Sequence, residues 1–200
     1  MKKSIIRLII VLFVSSLMLM ACGSKEKGPA ELALNAAQKA VDATKEEAAK
    51  YAPDLVNSLE NALASAKEKF AKKDYKAALE EAKALPAKAK EVLDAAKAKM
   101  SELSEQWAAY SQEIPKLVEN LQGKVEALSK SAQLPANLTS DKFNEVKSWV
   151  SSASEEWAGA LENFKEGSLA NAVNMAAAVK EKAMKAMEAL GVDVPTATST

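Results

Sequence analysis

Apolar residues recur every three or four positions from Ala30 nearly to Leu190, the period of helices that bury one face. The spacing predicts five helices. The first, roughly Ala30–Lys50, carries Leu34, Ala37, Val41 and Ala48 on one stripe, with Thr44 as a polar gap in it. Tyr51-Ala52-Pro53-Asp54 ends it and opens the second, because proline suits a first helical turn and aspartate its positive end. That helix presents Leu55, Leu59, Ala62, Leu63, Ala66 and Phe70. Lys72-Lys73-Asp74 reads as a turn, with Asp74 capping the next helix.

The third helix has the clearest signal. Leu79, Ala82, Pro86, Ala89, Leu93, Ala96, Met100, Leu103, Trp107, Tyr110 and Ile114 alternate spacings of three and four, a heptad seam. Beyond Ile114 the register slips to Val118, Leu121, Val125, Leu128 and Ala132. Unbroken from about Tyr75 to Ser131, this helix would be ~85 Å long. Pro86 and Pro115 each delete a backbone donor, so a kink at each, or a break at Ile114-Pro115, is expected. After a loop over 132–140, a fourth helix repeats Phe143, Val150, Trp157 and Phe164 at sevens, with Val146, Ala153 and Ala160 between. Burial of Trp157 and Phe164 follows from that seam. A turn at Glu166-Gly167-Ser168 leads to a fifth helix striped by Leu169, Ala172, Val173, Ala176, Val179, Ala183 and Met187, which Gly191 ends. Val192–Thr200 has no helical pattern and is expected to be disordered.

The second and third helices match the fourth and fifth at an offset of 94 residues. Ala66, Phe70, Asp74, Ala78, Ala82 and Ala89 correspond to Ala160, Phe164, Ser168, Ala172, Ala176 and Ala183. Two helices alone cannot bury their apolar faces, so each hairpin needs a third. The fold class is therefore all-α, with extended antiparallel hairpins forming two three-helix bundles that share one long, Pro-kinked helix.

Composition narrows the chemistry. The chain has no histidine, one cysteine (Cys22) and one arginine (Arg7), while alanine makes up a fifth of it. These counts exclude Ser-His-Asp and Cys-His nucleophiles, His-rich metal sites and an internal disulfide. Lys2, Lys3 and Arg7 precede fourteen uncharged residues, Leu8–Ala21, which suits a signal-peptide core and falls short of the ~20 that a spanning helix needs. Leu19-Met20-Ala21-Cys22 resembles the lipobox of bacterial lipoproteins, with Met20 where small or hydroxyl residues are commoner. The resemblance implies cleavage after Ala21 and acylation of Cys22, including palmitate-type chains, which anchor stably when two or three are buried. Gly23 and Ser24 lack the aspartate that resembles an inner-membrane retention signal. In a host with two membranes the implied location is the periplasmic face of the outer membrane, and otherwise the outer face of the cell membrane. The segments Glu47–Leu55 and Asp74–Ala78 resemble an alanine-rich helical domain of bacterial lipoproteins, a likeness that covers roughly 30–98 and implies envelope residence but no reaction.

The expected organisation is a signal peptide at 1–21, a lipidated tether at 22–29, bundles at 30–113 and 114–191, and a tail at 192–200. Without the leader, 24 lysines face 27 acids and no arginine remains, so counterion release on nucleic acid would be small and none is expected as a partner. The adjacent carboxylates Glu46-Glu47, Glu80-Glu81 and Glu155-Glu156 point about 100° apart on a helix, which disfavours a converging acid/base pair and leaves them as solvated faces. Met184 and Met187 share a side, and core packing explains them better than soft-metal binding. Trp149 lies one position off its seam and is the candidate exposed contact residue. No catalysis and no cofactor are expected. The favoured reading is a lipid-anchored spacer, scaffold or adaptor for an envelope protein, and the alternative is a binding protein for a lipid or apolar small molecule between the third, fourth and fifth helices. The heptad seam can be satisfied within the chain or by self-association.

Overall fold

Helix-favouring composition and short turn signals produce helices alone among the described residues. The computed structural model describes residues 24–136 and 138–192, and every element among them is an α-helix. These are α1 (Ser24–Ala48), α2 (Pro53–Ala71), α3 (Tyr75–Lys130), α4 (Ser140–Lys165) and α5 (Leu169–Ala189). The fold is all-α, as the pattern predicts. Contacts divide the chain into two compact units between Met100 and Ser101, within α3 and earlier than the expected boundary at 113/114. Each unit is a three-helix bundle, and α3 contributes its first half to one and its second half to the other.

In unit 1, Lys45 pairs with Glu60 at 2.6 Å and Lys67 donates to Gln38, so α1 and α2 run antiparallel in a fixed register. The core joins Leu34, Val41, Val56, Leu59, Leu63 and Leu85 to alanines 37, 66, 82, 89 and 96, whose small side chains let the helices approach closely. Thr44 is buried in the stripe it was expected to weaken. Its Oγ1 donates to the Ala89 carbonyl at 3.4 Å, so the polar gap becomes a link from α1 to α3.

Several positions depart from the predicted pattern. The tether expected over 22–29 is helical from Ser24, with Pro29 inside α1. On α2, Val56 is buried and Leu55 is 45% exposed. The α3 seam keeps Ala82, Ala89, Ala96, Leu103, Trp107 and Ile114, but its other half moves back one residue, to Ala78, Leu85 and Val92. Pro86 and Met100 are exposed. α3 runs through both prolines, which face solvent while Leu85 and Ile114 before them are fully buried. A solvent-facing ring leaves water to hydrate the carbonyl that loses its partner one turn back.

The hairpin turns explain the repeat. After α2, Asp74 N–H donates to the Lys69 carbonyl and Lys73 N–H to that of Phe70, a Schellman closure with Lys73 left-handed at φ 67°. After α4, Ser168 N–H donates to Asn163 and Gly167 N–H to Phe164, with Gly167 at φ 77°. All four donors and acceptors are related by the 94-residue offset. Asp74 caps α3 by accepting from Ala77 N–H at 3.2 Å. Thr139 caps α4 by accepting from Lys142 N–H at 3.3 Å.

Unit 2 packs the second half of α3 against α4 and α5. Leu117, Leu121, Val146, Val150, Ala183, Ala186 and Met187 form its core. The predicted α5 stripe is buried apart from Leu169, which is half-buried. Val192, the first residue of the expected tail, closes a third Schellman turn by donating to Met187, and Gly191 takes φ 66°. The rest of that tail, 193–200, lies outside the described residues.

Candidate functional site

The residues of the expected cleavage and acylation motif, Leu19, Met20, Ala21 and Cys22, lie outside the described residues, as does the whole of the expected leader, 1–21. What the structure supplies is their junction with the fold: Ser24, two positions beyond Cys22, is already in α1. The α1–α2 register sets Ala30 beside the α2–α3 turn, because Gln38 meets Lys67 and Lys45 meets Glu60. Ala30 is also fully buried. The first turns of α1 therefore extend past the α2–α3 turn, with Lys25, Lys27, Gly28 and Pro29 exposed and Glu26 half-buried.

The aromatic residues do not form one platform. Trp107 is buried in unit 2 and stacks on Trp157, with ring centroids 5.5 Å apart, and on Phe164, at 4.6 Å. Trp157 is only half-buried and Phe164 is 45% exposed, so the burial expected for them is incomplete. Both sit at the edge of α4, where Trp107 of α3 covers one face of each. Trp149, the candidate exposed contact residue, is half-buried against the Leu117–Leu121–Val146 core, so only part of its ring is open to solvent. Phe143 is buried, with the Lys147 ammonium 5.1 Å from its ring centroid.

Adjacent carboxylates diverge as helical geometry requires, with a consequence that spacing alone does not reveal. Glu80 and Glu155 face solvent, whereas Glu81 and Glu156 each turn to a lysine across the hairpin. Glu81 accepts from Lys69 at 2.8 Å and from Ser65 Oγ at 3.1 Å. Its carboxyl is held below the ordinary value of 4.5, chiefly by the Lys69 hydrogen bond. Glu156 accepts from Lys182 and from Ser152 Oγ at 3.1 Å, and is lowered mainly by the Lys182 bond. In the sequence each cluster is marked by a serine four residues before a charged residue of the same helix, Ser65 before Lys69 and Ser152 before Glu156.

These clusters are structural ties and lack the convergence of an acid/base site. Met184 is 40% exposed while Met187 is buried, so the two thioethers do not converge. Lys180 pairs with Glu113 at 2.8 Å and lies 5.9 Å from the Tyr110 ring. Among the described residues no group of three His, Cys, Asp or Glu side chains could hold a metal ion, and no helix is long and apolar enough to cross a membrane. The grooves are open. One of about 250 Å³ is lined by Glu47, Tyr51, Leu93, Ala96, Lys97 and Met100 of unit 1. Another, of about 600 Å³, follows the 131–139 loop of unit 2, where Ser129, Ser131, Gln133 and Thr139 join Leu128 and Phe143. No protein-family model matches the chain, and neither the curated proteins nor the solved structures include one that is significantly similar to it.

Proposed function

We propose that this chain is a lipid-anchored envelope protein, held by acyl chains on Cys22, whose hairpins serve as a spacer, scaffold or adaptor without catalysis. The observation that carries the reading is the junction between the lipobox-like Leu19-Met20-Ala21-Cys22 and a helix that begins at Ser24. An anchor joined this closely to a bundle passes its position to the helices with little slack. The repeated hairpin supports a geometric role as well, since the same packing is used twice and about half of its buried positions are filled by alanine. Its two polar clusters are spent on joining helices.

A ligand site for a lipid or apolar small molecule between α3, α4 and α5 has less support. Of the rings that would line it, Trp157 and Phe164 each stack on Trp107, and the large groove of unit 2 carries many polar groups.

The anchor is tested by intact mass and fatty-acid labelling of the protein made in a bacterial host. The native chain should lose residues 1–21 and gain acyl mass, and Cys22→Ala should gain none. Retention of label in Cys22→Ala would refute the assignment. The adaptor role is tested by crosslinking in intact cells, where capture of a specific envelope protein is expected and background recovery alone counts against it.

A further inference from the structure

We propose that the α2–α3 turn and the exposed start of α1 form a basic foot that rests on anionic phospholipid headgroups. This inference builds on the reading of Cys22 as the anchor. It is carried by three observations.

The first is position. The α1–α2 register sets the turn at the level of Ala30, only six residues of helix from Ser24. At 1.5 Å per residue that is about 9 Å, close to the Debye length of about 10 Å at 0.1 M salt. A bilayer holding acyl chains on Cys22 would lie within electrostatic reach of the turn.

The second is charge. Residues 66–77, around this turn, carry five lysines and two acids, whereas the equivalent stretch of the other hairpin, 160–171, carries one lysine and two acids. Lys69 and Lys72 are engaged by Glu81 and Glu68. Lys73 and Lys76 on the turn, and Lys25 and Lys27 on the extension, are exposed and form no ion pair with a described residue.

The third is that two of these lysines stand where local physics disfavours them. Lys73 holds the left-handed position that the second hairpin gives to Gly167, although a side chain there is strained. Lys76 sits in the first turn of α3, at the positive end of the helix, where the second hairpin has Ala170. Residues that break a local rule without a compensating contact point to a role outside the fold. The charge complement of four exposed lysines, none in an ion pair with a described residue, beside a lipid anchor is an anionic bilayer surface, on which each lysine contributes about fivefold to partitioning.

The test uses the chain from residue 22 onward with Cys22→Ala, which keeps every described residue and removes the acyl contribution. Co-sedimentation with vesicles of phosphatidylcholine containing one third phosphatidylglycerol should show binding that 0.5 M salt abolishes, and pure phosphatidylcholine should bind little. The double variant K73G/K76E should bind the anionic vesicles at least tenfold more weakly while melting at a higher temperature, because it relieves both local penalties. Opposite movement of binding and stability separates this outcome from damage to the fold. Equal binding to neutral vesicles, no binding to anionic ones, or undiminished binding by the double variant would overturn the proposal. The anchor reading fails separately, through absence of acyl mass on the native protein.

Discussion

The two hairpins share a turn and differ in what they do with it. Phe70 and Phe164 occupy the same place in the repeat, four residues before the capping position. In unit 1, Phe70 meets Tyr75 edge-on at 5.1 Å, inside its own hairpin. In unit 2, Phe164 stacks on Trp107 and so ties the hairpin to the third helix of its bundle. The polar ties move likewise. Ser65, Lys69 and Glu81 are replaced at the offset by Gly159, Asn163 and Met175, where the Asn163 amide donates to the Gly159 carbonyl at 3.0 Å and lies 3.4 Å from the Met175 sulfur. Gly159 leaves room for the Met175 methyl, which a Cβ would meet at 2.7 Å. Unit 2 instead places its charged tie further along, at Ser152, Glu156 and Lys182, whose counterparts are Ser58, Ala62 and Lys88. A repeated helix pair keeps its alanine contacts and its turn, and each copy anchors its flanks with different chemistry.

The largest expected effect would break this comparison at its aromatic tie. Trp107→Ala removes a buried ring stacked on two others and should cost about 3–5 kcal/mol. Hydrogen exchange should rise mainly in α4 and α5, and equal loss of protection in α1 and α2 would contradict separate cores. The solvent-facing prolines come next. Pro115→Ala restores a backbone donor inside α3 and should stabilise unit 2 by about 1–3 kcal/mol, with Pro86→Ala doing the same for unit 1, measured by urea unfolding.

Exchanging the turn residues sharpens the likeness. Lys73→Gly should stabilise by about 1 kcal/mol and Gly167→Lys should destabilise by a similar amount, since both positions are left-handed. A thermal-melt shift of the same sign in both would show that the turns are not equivalent. Smaller still, Ala62→Glu should give unit 1 a partner for Lys88 like that of Lys182 and add up to about 1 kcal/mol, with a double-mutant cycle against Lys88→Ala as the check. The carboxyls of Glu81 and Glu156 are lowered in the folded state, so their contribution is complete above the ordinary 4.5 and is lost as pH falls through their depressed values. Glu156→Gln should flatten the fall in unfolding midpoint below that pH.

Much of the fold was legible because alanine and heptad spacing leave few ways to pack. The five helices, the cap at Asp74 and nearly all of the α5 stripe follow from periodicity and turn chemistry alone. The α3 seam was half legible, for a physical reason. Leu85 adjoins Pro86 and Val92 adjoins Leu93, so both faces are apolar and spacing alone does not break the tie. Packing between two partner helices does, turning Leu85 and Val92 inward. Trp157 and Phe164 obeyed the heptad in sequence yet remain partly exposed, because a single ring from α3 covers them. Cross-helix ties such as Lys69 to Glu81 join positions whose meeting depends on the turn between them. The lipobox-like run Leu19–Cys22 is wholly a matter of sequence.

α3 has no loop at the junction of the units, since Met100 and Ser101 are consecutive residues of one helix. The longest stretch outside helices among the described residues falls instead at 131–136, inside unit 2. A protease needs extended backbone, so limited digestion should nick the protein there and yield a fragment ending after α3 and another beginning near α4. The two pieces would stay together through the Leu117, Leu121, Val146 and Val150 core. The seam along which this molecule comes apart chemically is thus not the one along which it divides by packing.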